Sequence, residues 1–149
     1  MKLPLHAAAG CLALLAISTF WVSTVTSELF GDNATIASVK QMVLWGMLIL
    51  VPAMATVGAT GASLGKGWRL PQVVRKQKRM KIIAANGLLI LLPSAVFLAT
   101  RAGTGTFDGV FYVVQGVELI AGATNITLLS RSLKDGLSLR KRRQSRAKA

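Results

Sequence analysis

The sequence predicts an all-α integral membrane protein, a four-transmembrane-helix bundle with both termini in the cytoplasm. Three observations carry that prediction. First, four long stretches are almost free of charge, at about residues 3–26, 39–62, 82–100 and 110–130, in a chain of 149 residues that is 52% hydrophobic and 15% charged. Each comes close to the ~20 residues that cross a ~30 Å hydrocarbon core. Second, none alternates with the period of two that marks a membrane β-strand. A backbone in lipid must then satisfy itself as a helix. Third, the bases cluster. Of 18 Lys and Arg, seven fall between the second and third stretches (Lys66, Arg69, Arg75, Lys76, Lys78, Arg79, Lys81) and eight lie from Arg131 onward. Lys2 begins the chain, and three of the five acids (Glu28, Asp32, Asp108) fall in the other two links. Positive charge stays on the cytoplasmic side. The expected location is a cell membrane, the bacterial inner membrane foremost. Residues 1–130 form the transmembrane domain. Residues 131–149 form a basic tail, disordered or at most a surface-lying helix at its start.

The first span opens as "LHAAAGC" after Lys2. It resembles a signal peptide in that respect. Its apolar run outlasts the usual ~7–15-residue core, and no small-x-small cleavage site follows, so a retained span is expected. Cys11 is the single cysteine, so no intrachain disulfide forms. His6 is the single histidine, with Gly10 one turn on. Small neighbours of this kind let a flat macrocycle approach. A haem b ligated by His6, with Met54 or Met80 as the opposing axial ligand or a second His6 from a symmetric dimer, is therefore one reading. The plainer one is an interfacial histidine near the headgroups.

The second and third spans carry Pro52 and Pro93 near their centres, and Asn86 lies in the inner half of the third. A proline frees a carbonyl one turn back and kinks its helix. Two at similar depth would open a cavity beside the fourth span. "GATGASLG" at the end of the second span reads as close helix packing. Trp21, Trp45 and Trp68 lie towards span ends, where interfacial anchors belong.

The fourth span holds the candidate site. In "FYVVQGVELIAGATN", Tyr112, Gln115, Glu118, Gly122 and Asn125 fall within an arc of roughly 140° on a helical wheel. The opposite face carries Val113, Val117 and Ile120, with threonines whose hydroxyls bond back to their own helix. Glu118 sits near the expected midplane, where a carboxylate costs on the order of 2.5–3.5 kcal/mol. It is expected to be neutral unless a cation or a water-filled cavity meets it. Lys40 and Arg101 are the bases nearest in depth, and both are expected near the outer boundary.

Three readings follow. The first is a polar pocket of Glu118, Gln115, Tyr112, Asn125 and Asn86 that binds a small ligand or cation, with proton-coupled transport as its fullest form. The second is the haem protein built on His6. The third is an accessory subunit whose polar stripe docks on a larger complex. A bundle this thin also favours a homo-oligomer. Enzymatic chemistry finds little support, because the acids, His6 and Cys11 are too scattered for a triad or a metal centre. The high positive charge is topogenic and suits anionic headgroups. The basic runs lack interleaved aromatics and any nucleic-acid motif, so nucleic acid is not an expected partner.

Overall fold

The structure, a computed structural model, describes the backbone over residues 2–64 and 71–146, with side chains over 4–63, 74–136 and at Ser138. Lys66, Trp68 and Arg69 lie outside the described residues. The chain forms α1 (Lys2–Phe30), α2 (Asn33–Leu64), α3 (Pro71–Asn86), a π-helical turn (Gly87–Leu91), α4 (Leu92–Gly103) and α5 (Gly109–Arg146). Because α3, the π turn and α4 run on without a break, four helical rods result. All four are long and apolar enough to cross a membrane: Pro4–Phe30, Asn33–Ser63, Val74–Gly103 and Gly109–Gly136.

The turns explain why the rods are longer than the apolar stretches. The α1–α2 link is two residues, Gly31 and Asp32. Gly31 closes α1 by donating its N–H to the Ser27 carbonyl at 2.8 Å. A Cβ at Gly31 would lie 2.6 Å from that same oxygen, so no side chain fits there. Asp32 then caps α2: its Oδ1 accepts the Thr35 N–H at 2.8 Å and the Thr35 hydroxyl at 2.6 Å. α2 therefore starts at Asn33, six residues before the expected span at 39, and that shift matters for the site. At the other turn Gly105 takes φ +70°, and Asp108 Oδ1 accepts the Phe111 N–H at 2.9 Å to start α5. Beyond residue 130 the backbone stays helical, α5 continuing to Arg146.

Packing follows the lipid-facing pattern expected of a thin bundle. α1 lies against α2 and α5, and α5 also lies against α3 and α4. The main core includes Ala13, Ile17, Val43, Leu50, Leu91 and Ala121. A smaller one, Ile36, Leu98, Ala102 and Phe111, closes the end that holds the Gly103–Gly109 turn. Leu15, Trp45, Leu89, Val113 and Ile120 are exposed, as lipid-facing side chains should be. The expected back-bonds are made, Thr124 to the Ile120 carbonyl and Thr127 to the Ala123 carbonyl, both at 2.8 Å.

Two expectations need correction. Trp21 is not an interfacial anchor. Its Nε1–H donates to the Leu119 carbonyl at 2.9 Å, and its ring lies over Gly122, where a Cβ would come within 2.9 Å of Cδ1. The indole clasps α1 to α5. The two prolines also behave differently. α2 passes through Pro52 as helix, whereas the third rod meets Pro93 just after its π turn. There the Leu92 N–H bonds to the Gly87 carbonyl, five residues back, a spacing that widens the helix by one residue.

Candidate functional site

Glu118 is not alone at its depth. Lys40 Nζ donates to Glu118 Oε2 at 2.7 Å, with side-chain exposures of 1% and 10%. The reading that kept Glu118 neutral depended on no cation reaching it. The reason Lys40 reaches it is geometric. Lys40 is seven residues inside α2, about 10 Å along the axis, because Asp32 starts the helix early. Glu118 is nine residues inside α5, about 13 Å from the same end of the bundle. The four-carbon lysine stem spans the difference and lies along apolar neighbours.

Two more groups complete the cluster. Gln115, one turn before Glu118, donates its Nε2–H to Glu118 Oε2 at 3.2 Å. Its own Oε1 is buried without a hydrogen-bond partner, and so is Oε1 of Glu28 on α1. Glu28 feels the charges of both Lys40 and Glu118. The Lys40 ammonium is ion-paired with Glu118 and acts on Glu28 through its charge, so α1, α2 and α5 each bring an ionisable group to this region. An ammonium has three N–H donors, one of which is directed at Glu118. Buried acceptors without partners are uncommon and costly, and each asks for an explanation. Here one belongs to Gln115, which itself bonds to the buried ion pair, and the other to Glu28 on α1.

Beside Glu118 lies a cavity of about 30 Å³, lined by Trp21, Thr24, Leu50, Leu91, Leu119 and Gly122 among others. Leu50 and Leu91 each stand two residues before a proline, so both proline segments border it. Its size suits one water molecule. An organic ligand needs several hundred Å³.

The remaining expected site residues do not join this cluster. Asn86 and Asn125 form a clamp of their own. Asn86 Nδ2 donates to the Asn125 side-chain oxygen at 2.8 Å and to the Ala121 carbonyl at 2.9 Å. Asn125 Nδ2 donates to the Ile83 carbonyl at 3.3 Å. The clamp ties α3 to α5 immediately before the π turn. Tyr112 points outward, its ring edge-on to Phe111. Gln115, Glu118 and Asn125 are all buried within this one chain, so the polar stripe faces its own bundle and not a partner.

His6 is occupied differently. Its Nδ1 is 2.9 Å from the Thr60 hydroxyl, and its Cε1 would meet a Cβ at Gly61 at 3.3 Å. Thus the small residues of "GATGASLG" seat an imidazole on α2. Met54 and Met80 are partly buried against the main core. None of the three lines the cavity beside Glu118.

Sequence reasoning names Glu118 and Gln115, sets Lys40 near the outer boundary and gives Glu28 no place in the site. The available signal was charge balance. A lone carboxylate in a span calls for a base, and Lys40 was the nearest base with a stem long enough to descend to it. No family model, no curated protein and no solved structure matches this chain.

Proposed function

We propose that the protein is a multi-pass cell-membrane protein, both termini cytoplasmic, whose Glu28–Lys40–Glu118 cluster takes up a proton and passes it on. The observation that best supports this is the buried Lys40–Glu118 pair, with a buried acceptor without a partner on Gln115 beside it and another on Glu28, which feels the charges of both. A purely structural pair needs no second carboxylate within reach of its charges. Proton transfer to Glu118 gives a neutral acid and breaks the ion pair. Lys40 is then released to the carboxylate of Glu28, which lies nearer the turn at Gly31. Loss of the proton restores the pair. The water-sized cavity beside Glu118 favours a proton, or a small cation in its place, over an organic ligand. Under the positive-inside rule the cluster opens towards the outer face, and the Asn86–Asn125 clamp lies on the inner side.

The test is proton flux into liposomes containing the purified full-length chain, with a pH-sensitive dye in the lumen and an imposed acid jump outside. Wild type is expected to acidify the lumen. Glu118→Gln, which keeps the shape and removes the titrating group, is expected to reduce flux to that of empty liposomes while still inserting as a monodisperse protein. Equal flux through wild type and Glu118→Gln sinks the reading.

A further inference from the structure

At the opposite end of the bundle a second cavity, of about 290 Å³, is lined by Arg75, Arg79, Arg131, Lys134 and Asp135. It lies between α3 and α5, more than a turn beyond the Asn86–Asn125 clamp and far along α5 from Glu118. Arg79 forms an ion pair with Asp135. Lys76 adds a further charge: it feels both Asp135 and Arg79, and its Nζ would lie 3.4 Å from a Cβ at Gly136. Five bases surround one acid, a local net charge of +4. The self-repulsion of such a group is relieved when an anion enters.

The position of the cavity says which anion. Arg75 and Arg79 stand in the first turns of the third span, Val74–Gly103, and Arg131 to Asp135 in the last turns of the fourth, Gly109–Gly136. Lipid phosphates lie at this level, where an apolar rod meets water. A guanidinium presents a planar fork to phosphate oxygens, and two helices here contribute three of them. Basic pockets between membrane helices are a known way of holding anionic headgroups. We propose that this cavity is a built binding site for the phosphate group of an anionic phospholipid, with Arg75 and Arg131 as its two principal ligands. Arg79 is held in place by Asp135. The site is distinct from a diffuse attraction between basic helix and membrane, because Arg75 and Arg131, though exposed, line one cavity from two facing helices, whereas Lys78 and Lys81 of the same α3 do not line it.

Native mass spectrometry of the full-length chain, exchanged into detergent with phosphatidylglycerol or phosphatidylcholine, tests this directly. Wild type is expected to retain phosphatidylglycerol in preference to phosphatidylcholine. Arg75→Ala with Arg131→Ala is expected to lower that retention by roughly 30-fold, about the effect of removing two surface bases from an anionic lipid contact. Lys78→Ala with Lys81→Ala removes the same total charge, both bases from α3, and is expected to leave retention unchanged. Asp135→Asn removes the one acid, and retention should rise, an outcome that a merely folded-state role for Asp135 does not produce. Equal losses in the two double variants overturn the site and leave only diffuse charge. Displacement of the lipid by millimolar inorganic phosphate also overturns it, since the cavity would then take free phosphate and not a headgroup.

Discussion

Two ion pairs in this molecule use the same chemistry and have different consequences. Lys40–Glu118 is buried in the bundle, whereas Arg101–Asp108 lies at its end with side-chain exposures of 32% and 45%. Water and salt screen the second, so its partners lose little when separated. The first is cut off from bulk water by the surrounding helices. Each of its charges is tolerable only because the other is present. A buried pair is therefore a bistable device as well as a bolt: whatever neutralises one partner frees the other. The difference lies in surroundings alone, and substitutions at the two pairs should separate them.

The largest effect is expected at Lys40. Lys40→Met leaves Glu118 buried without its cation and should cost about 3–5 kcal/mol, the range for breaking a buried pair by removing one partner. Reversible unfolding in mixed detergent–SDS micelles measures it. Lys40→Met combined with Glu118→Leu removes both charges and should recover most of that stability, while proton flux stays abolished. If the double variant is no more stable than the single one, the pair is not energetically coupled and the comparison fails at its first step.

A middle-sized effect is expected at the clamp. Asn86→Ala removes the donor to the Ala121 carbonyl and to Asn125, but leaves no charge stranded. Interhelical hydrogen bonds in membrane proteins average ~0.6 kcal/mol and reach ~1.7 kcal/mol. Asn86→Ala should fall in that range by the same unfolding measurement, and proton flux should persist. Loss of flux without loss of stability would place the clamp in the proton path and redraw the boundary of the site.

The rods were legible because length and apolarity are enough to outline four helices able to cross a membrane. Their ends were not. Gly31 and Asp32 set the start of α2 by a missing Cβ and a two-bond cap, features of single residues that a hydropathy run does not register. That error of two turns carried into the site, since it put Lys40 at a boundary when it stands well inside the helix. The helical wheel correctly turned Gln115, Glu118 and Asn125 inward, yet it also turned Tyr112 inward. Tyr112 sits at the edge of the arc, and Phe111 beside it takes the buried position. A wheel gives direction about one axis. It could not tell that Asn125 would meet Asn86 while Glu118 would meet a base from α2, because that depends on which rods neighbour each other.

The smallest effect is expected at the exposed pair, and acid makes it informative. The Asp108 carboxyl is held below the ordinary carboxylate range, first by the Phe111 N–H and then by the Arg101 side chain. A carboxyl lowered by folding stabilises above its unfolded value of ~3.9 and loses that contribution as pH falls through the folded value. Stability should therefore drop as pH is taken below about 4, and Asp108→Asn should flatten that part of the profile. Arg101→Ala at neutral pH should move the melting temperature by no more than the scatter of the measurement. It should also leave part of the acid sensitivity in place, because the Phe111 N–H is the largest single cause of the lowering. An Arg101→Ala variant as unstable as Lys40→Met would mean that burial does not divide the two pairs. A flattened acid profile in Arg101→Ala would transfer the role of the cap to the arginine.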